Sequence, residues 1–455
     1  MLDHSLIELL ACPRCDVALT ESGNALHCKG CQTDYPLLEG IPFLFTEPGV
    51  ALDEWRQRYH ARLQEIEHRI AALSQALQVT DLIETTRQRM THEHDALVLH
   101  RDELAELMQA LETTSMAADH TTYLALRTRL PDDQGLITYY ANLHRDWCWG
   151  DTENQQSAQL VIDAIGDNGP GDLLVLGAGG GRLAYDLHQA FDHERTVALD
   201  FNPLLMMSAG RLSGGARLTL HEFPIAPIDA LDVAVARTLH APEPARAGLH
   251  WVMANALRAP FSRHQFDTLV TPWLVDVVGE SLAHQAQRWN QLLREGGQWI
   301  WFGSHAFRHA DPASQLGIDE SMQIIEPHGF SKPSLVEMDI PYMVSPANRH
   351  ARSERVVVMT MTKTADVAAP ARHVALPEWL VRNDMPVPPS ESFQSQGMSS
   401  RIHGFFFSMV DGQRTLEDMA ALMEQERLMP KAEGIAALRN FFIRALEESE
   451  GYSTF

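Results

Sequence analysis

The feature that most constrains the fold of this chain is a glycine loop between two short apolar runs. Residues 172–176 form the first run, residues 177–181 read Gly-Ala-Gly-Gly-Gly, residues 182–191 have a helical pattern, and the second run, 196–199, ends in Asp200. The pattern predicts strand, loop, helix and strand, and glycines at the carboxyl end of a parallel strand let backbone approach a ligand closely. An acidic residue about 20 positions further on can accept both ribose hydroxyls of a cofactor. By itself the segment fits either a nicotinamide cofactor or S-adenosylmethionine.

Segments further along the chain indicate which of these two cofactors the loop suits. Residues 266–270 predict a strand that continues into residues 271–276, and a helical stretch follows at 280–293. A Gly-Gly turn then leads into the apolar strand 298–302, an order that is typical of class I methyltransferases. Residues 353–363 suit the antiparallel strand that closes such sheets. The sequence therefore predicts an α/β fold with a Rossmann-like, seven-stranded methyltransferase sheet.

Four segments carry a more specific resemblance. Residues 177–186 look like the glycine loop of the carnosine N-methyltransferase family, and Arg145-Asp146-Trp147 to Gly150 resembles its Arg-Asp-Trp segment. Residues 271–276 resemble the family's fourth strand, and Trp299-Ile300 to Gly303 resembles its Trp-Ile-x-x-Gly strand. The resemblance covers about residues 120–363.

Two positions depart from the usual methyltransferase pattern. Val175 stands two residues before the first glycine, where an acidic residue is usual. Asn255 stands where an Asp commonly meets the adenine amino group, and an Asn carbonyl can still accept that hydrogen bond.

The resemblance implies methyl transfer from S-adenosylmethionine to an imidazole nitrogen of a histidine-containing dipeptide. The cofactor contacts that it implies are Arg145, Gly177, Gly179, Gly181, Arg182, Asp200, Asn255 and Thr271. On the acceptor side it implies Asp276, Tyr342 and a histidine after strand five. The family histidine falls near Arg308, so we expect His309 in that role, with His305 as the alternative. Because of this mismatch the acceptor stays open as an imidazole in a small molecule, a peptide or a protein.

The chemistry of an imidazole acceptor is consistent with these residue types. Neutral imidazole, whose pKa is near ~6.5, is already a nucleophile at pH 7. Methyl transfer needs alignment of nitrogen, methyl and sulfur more than it needs a strong base. A carboxylate such as that of Asp276 can accept the other ring N–H, which fixes the tautomer and stabilises the developing cation.

A cysteine pattern dominates the N-terminus. Cys12, Cys15, Cys28 and Cys31 form two C-x2-C pairs, and each pair can wrap one side of a tetrahedral ion. Four thiolates leave no open position, so the pattern predicts one structural zinc rather than a catalytic one. A module of about 45 residues buries little core, and metal binding would supply its folding energy.

The same stretch, residues 1 to about 47, resembles a second family. Residues 9–13 (Leu-Leu-Ala-Cys-Pro) and Tyr35-Pro36-Leu37 to Gly40-Ile41-Pro42 look like the small zinc-ribbon activator subunits that bind and stabilise tRNA and protein methyltransferases. Here the ribbon would be fused in cis to its client.

A helical segment follows, because residues 52–115 contain no Pro or Gly. Its leucines and isoleucines at 63, 66, 70, 73 and 77 recur at heptad spacing. The seam predicts either a dimerising coiled coil, hence a possible homodimer, or an antiparallel helix pair packed on the neighbouring domain.

The C-terminal part divides into a Pro-rich linker and a helical module. Residues 411–415 (Asp-Gly-Gln-Arg-Thr) contain a turn and then Thr415, which with Asp418 predicts a capping box. The module weakly resembles the winged-helix peptide-binding domains of peptide-modifying enzymes, and this would imply a bound precursor peptide. A plain stabilising helical cap is the alternative. The expected organisation is 1–48 zinc ribbon, 52–150 helical segment, 151–363 class I methyltransferase domain, 364–398 linker and 399–455 winged-helix-like domain.

The composition limits the classes of partner that the protein is expected to bind. Lys and Arg number 36 against 60 Asp and Glu, so the formal net charge of −24 argues against capture of a nucleic-acid backbone. The sequence shows no transmembrane run and no signal peptide, and we expect a cytoplasmic protein. The alternatives to an imidazole N-methyltransferase are an RNA methyltransferase with its activator fused in cis and a non-catalytic binding protein of the same fold.

Overall fold

The computed structural model describes residues 2–116, 135–308, 312–370 and 391–450. The chain forms two compact units, Met1–Leu376 and Pro377–Phe455. The first unit therefore holds the predicted ribbon, helical segment and methyltransferase domain together. None of the described helices is long and apolar enough to cross a membrane.

The first unit is built on a seven-stranded sheet. Its strands are β5 (Leu173–Leu176), β6 (Thr196–Asp200), β9 (Leu249–Met253), β10 (Phe266–Pro272), β11 (Leu293–Gly303), β12 (Ser334–Tyr342) and β13 (Arg352–Thr362). They lie in the order β12-β13-β11-β10-β5-β6-β9. The strands from β11 to β9 are parallel, and β13 is antiparallel to both of its neighbours. The predicted fold class is confirmed.

Helices cover both faces of this sheet, so its central strands are apolar on both sides. Val175, Ala198 and Ile300 pack on one face, whereas Leu174 and Leu199 pack on the other. The α-helices between residues 135 and 370, within the described ranges, are α5 (Tyr140–His144), α6 (Asp151–Ile165), α7 (Arg182–Ala190), α8 (Pro203–Ser213), α9 (Leu282–Leu292) and α10 (Ile318–Ile325). A hairpin of β7 (Arg217–Glu222) and β8 (Val235–His240) lies between α8 and β9.

The ribbon is joined to the edge of the large sheet. It contains α1 (His4–Ile7) and strands β1 (Leu19–Ser22), β2 (Ala25–Cys28), β3 (Asp34–Leu38) and β4 (Ile41–Pro42). Phe43 forms a parallel bridge with Met253 of the edge strand β9, and the Leu44 N–H donates to the Met253 carbonyl at 2.8 Å. The Ala11 N–H donates to the carbonyl of Pro260 at 2.8 Å. An edge strand that would otherwise present free backbone groups is thereby covered.

The helical segment forms an antiparallel pair. Helices α2 (Pro48–Ala76) and α3 (Glu84–Leu107) are joined by a short turn, and the short helix α4 (Gln109–Thr113) follows. Arg69 pairs with Glu93 at 2.6 Å and the Arg56 Nε–H donates to the Leu111 carbonyl at 3.0 Å, so residue numbers rise along one helix as they fall along the other. The seam residues Ile66 and Leu73 are buried in the core of the same unit. These contacts correspond to the helix-pair alternative.

The C-terminal unit is helical. Its described elements are α11 (Glu391–Ser408), α12 (Leu416–Gln425) and α13 (Lys431–Glu450). The predicted capping box is present, because the Asp418 N–H donates to Thr415 Oγ1 and the Thr415 N–H donates to Asp418 Oδ2. Helix α11 begins inside the predicted linker, whose residues 371–390 lie outside the described part. Between residues 391 and 450 the chain forms no strand, so this stretch shows no wing of a winged helix.

Candidate active site

A cavity of about 590 Å³ opens at the carboxyl ends of the parallel strands. The strand order reverses between β5 and β10, and open α/β sheets bind their ligands at such a switch point. The loops after β5, β6 and β9 line one side of the cavity, which we call the cofactor half. The ends of β10, β11 and β12 line the other side, which we call the acceptor half.

The glycine loop shapes the cofactor half. Gly177 and Gly179 have φ values of +76° and +56°, which side chains other than glycine rarely adopt, and both line the cavity. A Cβ on Gly179 would meet no atom within 4 Å. Gly181 lies behind the wall, where a Cβ would come within 2.6 Å of the Trp251 ring, so this glycine allows close packing of α7 rather than ligand contact.

Asp200 lies at the end of β6, beside the loop. Its Oδ2 accepts from the Gly179 N–H at 2.9 Å and its Oδ1 accepts from the Asn202 N–H at 3.0 Å. Burial raises the pKa of Asp200 from 3.8 to about 6, although these two backbone donors oppose the rise. The carboxylate lines the cavity, in a position to accept further donors.

Asn255 follows β9 and caps the short turn Ala256–Arg258. Its Oδ1 accepts from the Leu257 N–H at 2.9 Å, and the residue lines the cavity next to Leu257. An amide oxygen has two lone pairs, so one acceptor position remains for a ligand.

A single turn of π-helix, Arg145–Trp149, packs against the glycine loop and is hydrogen-bonded to it. The Trp147 Nε1–H donates to the Gly180 carbonyl at 2.7 Å, and Arg182 Nη1 donates to the Asp146 carbonyl at 2.6 Å. A Cβ on Gly180 would lie 2.3 Å from the Asp146 carboxylate, so the contact requires glycine. Turns of π-helix occur frequently at functional sites.

Arg145 holds two carboxylates at the cavity wall. Its guanidinium pairs with Asp146 at 2.6 Å and with Glu153 at 3.1 Å, and its centre lies 5.6 Å from the Tyr342 ring. Burial opposes the charge, but the two carboxylates raise the pKa of Arg145 above its ordinary value. Glu153 Oε2 also accepts from the Met343 N–H at 2.8 Å, which ties the end of β12 to this cluster.

Aromatic rings form the acceptor half. The ring of Trp273 lies 4.9 Å from that of Tyr342 and 6.1 Å from that of Phe302, centroid to centroid. Trp273 has a φ of +51°, and its N–H donates to the Phe302 carbonyl at 2.8 Å. Gly303 makes room for it, because a Cβ there would lie 2.9 Å from Trp273. Strained backbone of this kind gathers at functional sites.

The structure brings part of the predicted site together. Among the described residues, the cavity wall includes Arg145, Gly177, Gly179, Asp200, Asn255 and Tyr342. The predicted cofactor contacts Arg182 and Thr271 lie outside it. Arg182 is buried, and its Nε lies 2.8 Å from Asp186 Oδ1. The Thr271 hydroxyl accepts from the Trp299 Nε1–H at 3.0 Å. Both therefore support the wall from behind.

Two of the predicted acceptor residues also lie behind the wall. Asp276 Oδ2 accepts from the Ser304 hydroxyl at 2.6 Å and from the Ala306 N–H at 2.9 Å, joining the loops after β10 and β11. Its buried Oδ1 has no hydrogen-bond partner in the described part of the chain. His305 stacks on Trp301 and its Nε2 lies 2.9 Å from the Ser321 hydroxyl, away from the cavity. His309 lies outside the described residues.

Several residues of the cavity wall were not predicted from the sequence. Asp146, Glu153, Trp273 and Arg308 line the cavity but were not predicted as site residues. Asp146 and Trp273 stood inside segments that carried the family resemblance, so the signal was present without a role attached to it. Glu153 carried no such signal, whereas Arg308 stood at the position near which the resemblance places a histidine.

The four N-terminal cysteines converge. Their Sγ atoms all lie within 4.8 Å of one another, with 3.5 Å between Cys12 and Cys31 and 3.4 Å between Cys15 and Cys28. Sulfurs about 2.3 Å from a tetrahedral zinc are about 3.8 Å apart, so the donor set and its spacing fit a zinc ion with four thiolate ligands.

Comparison with solved structures finds methyltransferases at low similarity, and no family model matches the chain. A methyltransferase from Bacillus halodurans is 13% identical with a TM-score of 0.32, covering 46% of this chain and 100% of its own. The N-methyltransferase NodS from Bradyrhizobium japonicum, in complex with S-adenosyl-L-homocysteine, is 12% identical with a TM-score of 0.33, covering 50% and 99%. The order of the seven strands, β12-β13-β11-β10-β5-β6-β9, establishes the fold of this unit.

Sequence comparison identifies relatives of the N-terminal part. A UPF0434 protein of Vesicomyosocius okutanii is 39% identical over 54 residues, which are 12% of this chain and 92% of the relative. The UPF0434 protein VV2354 of Vibrio vulnificus is 42% identical over 60 residues, 12% of this chain and 100% of the relative. These short relatives correspond almost entirely to the cysteine-bearing ribbon. In its N-terminal part, the chain belongs to the UPF0434 protein family.

Proposed function

We propose that this protein is an S-adenosylmethionine-dependent methyltransferase. One observation carries the proposal: a cavity at the switch point of a seven-stranded sheet, with the glycine loop and the Asp200 carboxylate on the same wall. Seven strands in this order, with one antiparallel strand near the edge, match the sheet predicted for a class I methyltransferase. A nicotinamide enzyme would not need the antiparallel strand β13.

The residues of the cofactor half fit this cofactor. Asp200 offers a carboxylate for the two ribose hydroxyls, and Asn255 offers an amide oxygen for the adenine amino group. Leu199, Phe201 and Leu257 supply apolar wall for a purine ring. The open space beside Gly179 leaves room for the rest of the cofactor. When bound, S-adenosylmethionine supplies an electrophilic methyl group on a sulfonium.

The acceptor that we propose is an imidazole nitrogen. The rings of Trp273 and Tyr342 give the acceptor half two aromatic surfaces on which a flat heterocycle can pack. Asp276 lies directly behind this wall, next in sequence to the lining residue Val277, and its buried Oδ1 has no hydrogen-bond partner in the described part of the chain. A buried oxygen of this kind costs free energy unless something donates to it. The donor that we propose is the N–H of an imidazole that reaches Asp276 through this wall.

The reaction balances without an external co-reactant. The attacking ring nitrogen forms the N–CH3 bond as the S–CH3 bond breaks, the sulfonium becomes a neutral thioether, and the ring nitrogen's electron pair enters the new bond. The ring becomes cationic and then loses the proton of its other nitrogen to water. Asp276 stabilises the cation while it exists, and the aromatic walls limit the acceptor to an aligned approach.

The ribbon is proposed to hold one structural zinc. Four thiolates close the coordination shell, so no position is left for substrate or water. Its contribution is the stability of a module that covers the edge of β9 rather than chemistry in the cavity.

Calorimetric titration with S-adenosyl-L-homocysteine tests the methyltransferase proposal. The wild-type chain should bind one equivalent, and Asp200→Ala should weaken binding by about 10- to 150-fold, because charge-assisted hydrogen bonds are lost. NADH serves as the competing ligand. Binding of NADH in place of S-adenosyl-L-homocysteine, or of neither, would overturn the proposal.

A further inference from the structure

A second pocket lies between the ribbon and the loop after β9, outside the cavity described above. It is lined by Ala11 and Pro13 of the ribbon and by residues from the stretches 256–263 and 288–292. Leu257 lines both this pocket and the cavity, so the short turn after β9 separates the two. We call it the junction pocket. Its volume of about 310 Å³ lies at the lower end of the range for small-molecule sites, about 300–1,000 Å³.

Arginines dominate the charge of the junction pocket. Among the described residues that line it, Arg258, Arg263 and Arg288 are cationic, and Asp16 is the one acidic residue. Glu280, which is not part of the lining, pairs with Arg288 Nε at 2.7 Å. Three positive charges are thus set against two negative charges, in a chain whose formal net charge is −24. The pocket therefore has a surplus positive charge that an anion would match.

Two of these arginines repel each other. Arg258 is half-buried, and its Nη1 donates to the Pro13 carbonyl at 3.5 Å. Burial and then the charge of Arg288 lower the pKa of Arg258 to about 10, although Glu280 opposes this change. An anion bound beside both guanidinium groups would offset the repulsion between them.

Hydrogen-bond donors without a partner also line the junction pocket. Arg263 is exposed, and its guanidinium makes no ion pair or hydrogen bond with any residue that the structure describes. Trp289 is fully buried, and its ring N–H has no hydrogen-bond partner in the described part of the chain. A buried N–H of this kind costs free energy unless an acceptor reaches it. The pocket therefore suits a ligand that is rich in acceptor oxygens.

We propose that the junction pocket binds the phosphate group of a small molecule. A phosphate ester carries a charge of about −1.5 to −2 at pH 7 and three strong acceptor oxygens. Arginine matches such a group with two parallel hydrogen bonds, which add orientation as well as affinity. Pro13, Phe261 and Leu292 give the same pocket apolar wall, against which the rest of the ligand packs. The site is separate from the cavity and does not depend on the proposed methyltransferase function.

A nucleic-acid backbone is the other source of phosphate, and the pocket favours a small molecule. The side chain of Arg288 is only 16% exposed and Arg258 is half-buried, so a phosphate must enter a recess to meet them. A nucleic acid presents its phosphates along an extended line and is held by cations spread over an open face. The net charge of −24 also opposes its approach.

Calorimetric titration with phenyl phosphate tests the proposal, with benzyl alcohol as the uncharged control. The wild-type chain should bind one equivalent of phenyl phosphate and no benzyl alcohol. Arg263→Gln should weaken binding of phenyl phosphate by about tenfold or more, because charge-assisted hydrogen bonds are lost. Arg263→Lys should keep part of the affinity, since lysine retains the charge without the fork. The ligand-free Arg263→Gln protein should unfold at the wild-type temperature, because Arg263 contributes no ion pair or hydrogen bond within the described chain.

Two further arginine variants serve as controls. Arg355→Gln removes an exposed arginine that pairs with Asp339 on the β12–β13 edge, and it should bind phenyl phosphate as the wild type does. Arg308→Gln removes the exposed arginine of the cavity wall and should also bind normally. Loss of binding in Arg308→Gln with full binding in Arg263→Gln would place the probe in the cavity and overturn the inference.

Three other results would also overturn it. They are absence of phenyl phosphate binding, equal binding of benzyl alcohol, and equal weakening in Arg263→Gln and Arg355→Gln. A single-stranded uridine oligonucleotide is titrated beside the small probe. If it binds more tightly than phenyl phosphate and loses its affinity in Arg263→Gln, the pocket is a nucleic-acid site and the small-molecule inference is wrong.

Discussion

Asp200 should make cofactor affinity depend on pH in a range where few carboxylates titrate. Its side chain is 6% exposed and burial raises its pKa to about 6, so the carboxylate gains a proton as the pH falls from 7 to 5. The ionised form is the better acceptor for ribose hydroxyls. We expect Asp200→Asn to weaken binding at pH 7 and to abolish this pH dependence, because an amide does not titrate.

The magnitude follows from the ionised fraction. With a pKa of about 6, roughly nine-tenths of the molecules carry the carboxylate at pH 7 and roughly one-tenth at pH 5, so affinity should fall about tenfold. The stability of the cofactor-free protein changes with pH in the opposite direction to cofactor affinity. A carboxyl group whose pKa is raised on folding favours the folded state while protonated, so stability falls as the pH rises from about 4 to 6. The rise from 3.8 to about 6 corresponds to about 3 kcal/mol.

Calorimetry with S-adenosyl-L-homocysteine at pH 5, 6 and 7, beside thermal unfolding of the free chain from pH 4 to 7, measures both effects. The wild type should show affinity rising and unfolding temperature falling with pH, and Asp200→Asn should show neither trend from this group. Equal pH profiles for the two proteins would refute the reasoning, because they would place the titrating group elsewhere.

Three further predictions concern the metal, the loop and the acceptor. Purified protein should contain one zinc per chain by metal analysis, and Cys28→Ser should lower the unfolding temperature and the zinc content together, since the ion stabilises the ribbon. Gly180→Ala should weaken S-adenosyl-L-homocysteine binding by about tenfold or more in calorimetry, because the new Cβ displaces Asp146. Asp276→Asn should slow methyl transfer to an imidazole-containing acceptor by about 100-fold or more in single-turnover kinetics, since it removes a preorganised charge while the amide oxygen still joins the two loops.

Each of these three predictions has a control variant or a result that would contradict it. A zinc content well under one per chain in folded, purified protein would contradict the prediction of a zinc site in the ribbon. Gly279→Ala places its Cβ in open space at the same cavity and should bind the cofactor analogue far better than Gly180→Ala. Unchanged single-turnover rates in Asp276→Asn would show that Asp276 only joins loops.

The two strands around the glycine loop and the place of Asp200 at the end of the second could be predicted because they depend on local pattern. Apolar runs of strand length, a glycine loop between two of them and an acidic residue at the end of the second are all read within about 30 residues. The same is true of the four cysteines, whose spacing alone brings their sulfurs together. The antiparallel direction of strand β13 was predicted only from the expected methyltransferase sheet, because an apolar run does not indicate direction.

The direction of side chains at the site could not be predicted in the same way. Thr271 and Trp273 are two residues apart at the end of β10, yet the first bonds Trp299 behind the wall and the second lines the cavity. Trp273 lies on the wall because its φ is +51°, a conformation that no propensity of tryptophan indicates. The role of Asp146 depends on a turn of π-helix, which has no signature in a single sequence.

The pairing of Leu44 with Met253 has a consequence for synthesis of the chain. These partners are 209 residues apart, so the ribbon leaves the ribosome well before the strand that it covers has been made. At about 5–20 residues per second the delay is roughly 10–40 s. During that time the ribbon lacks the edge strand that it covers, and four cysteines can already close on an ion. Zinc supply during translation would then decide how much nascent chain reaches β9 with a folded ribbon ready to dock.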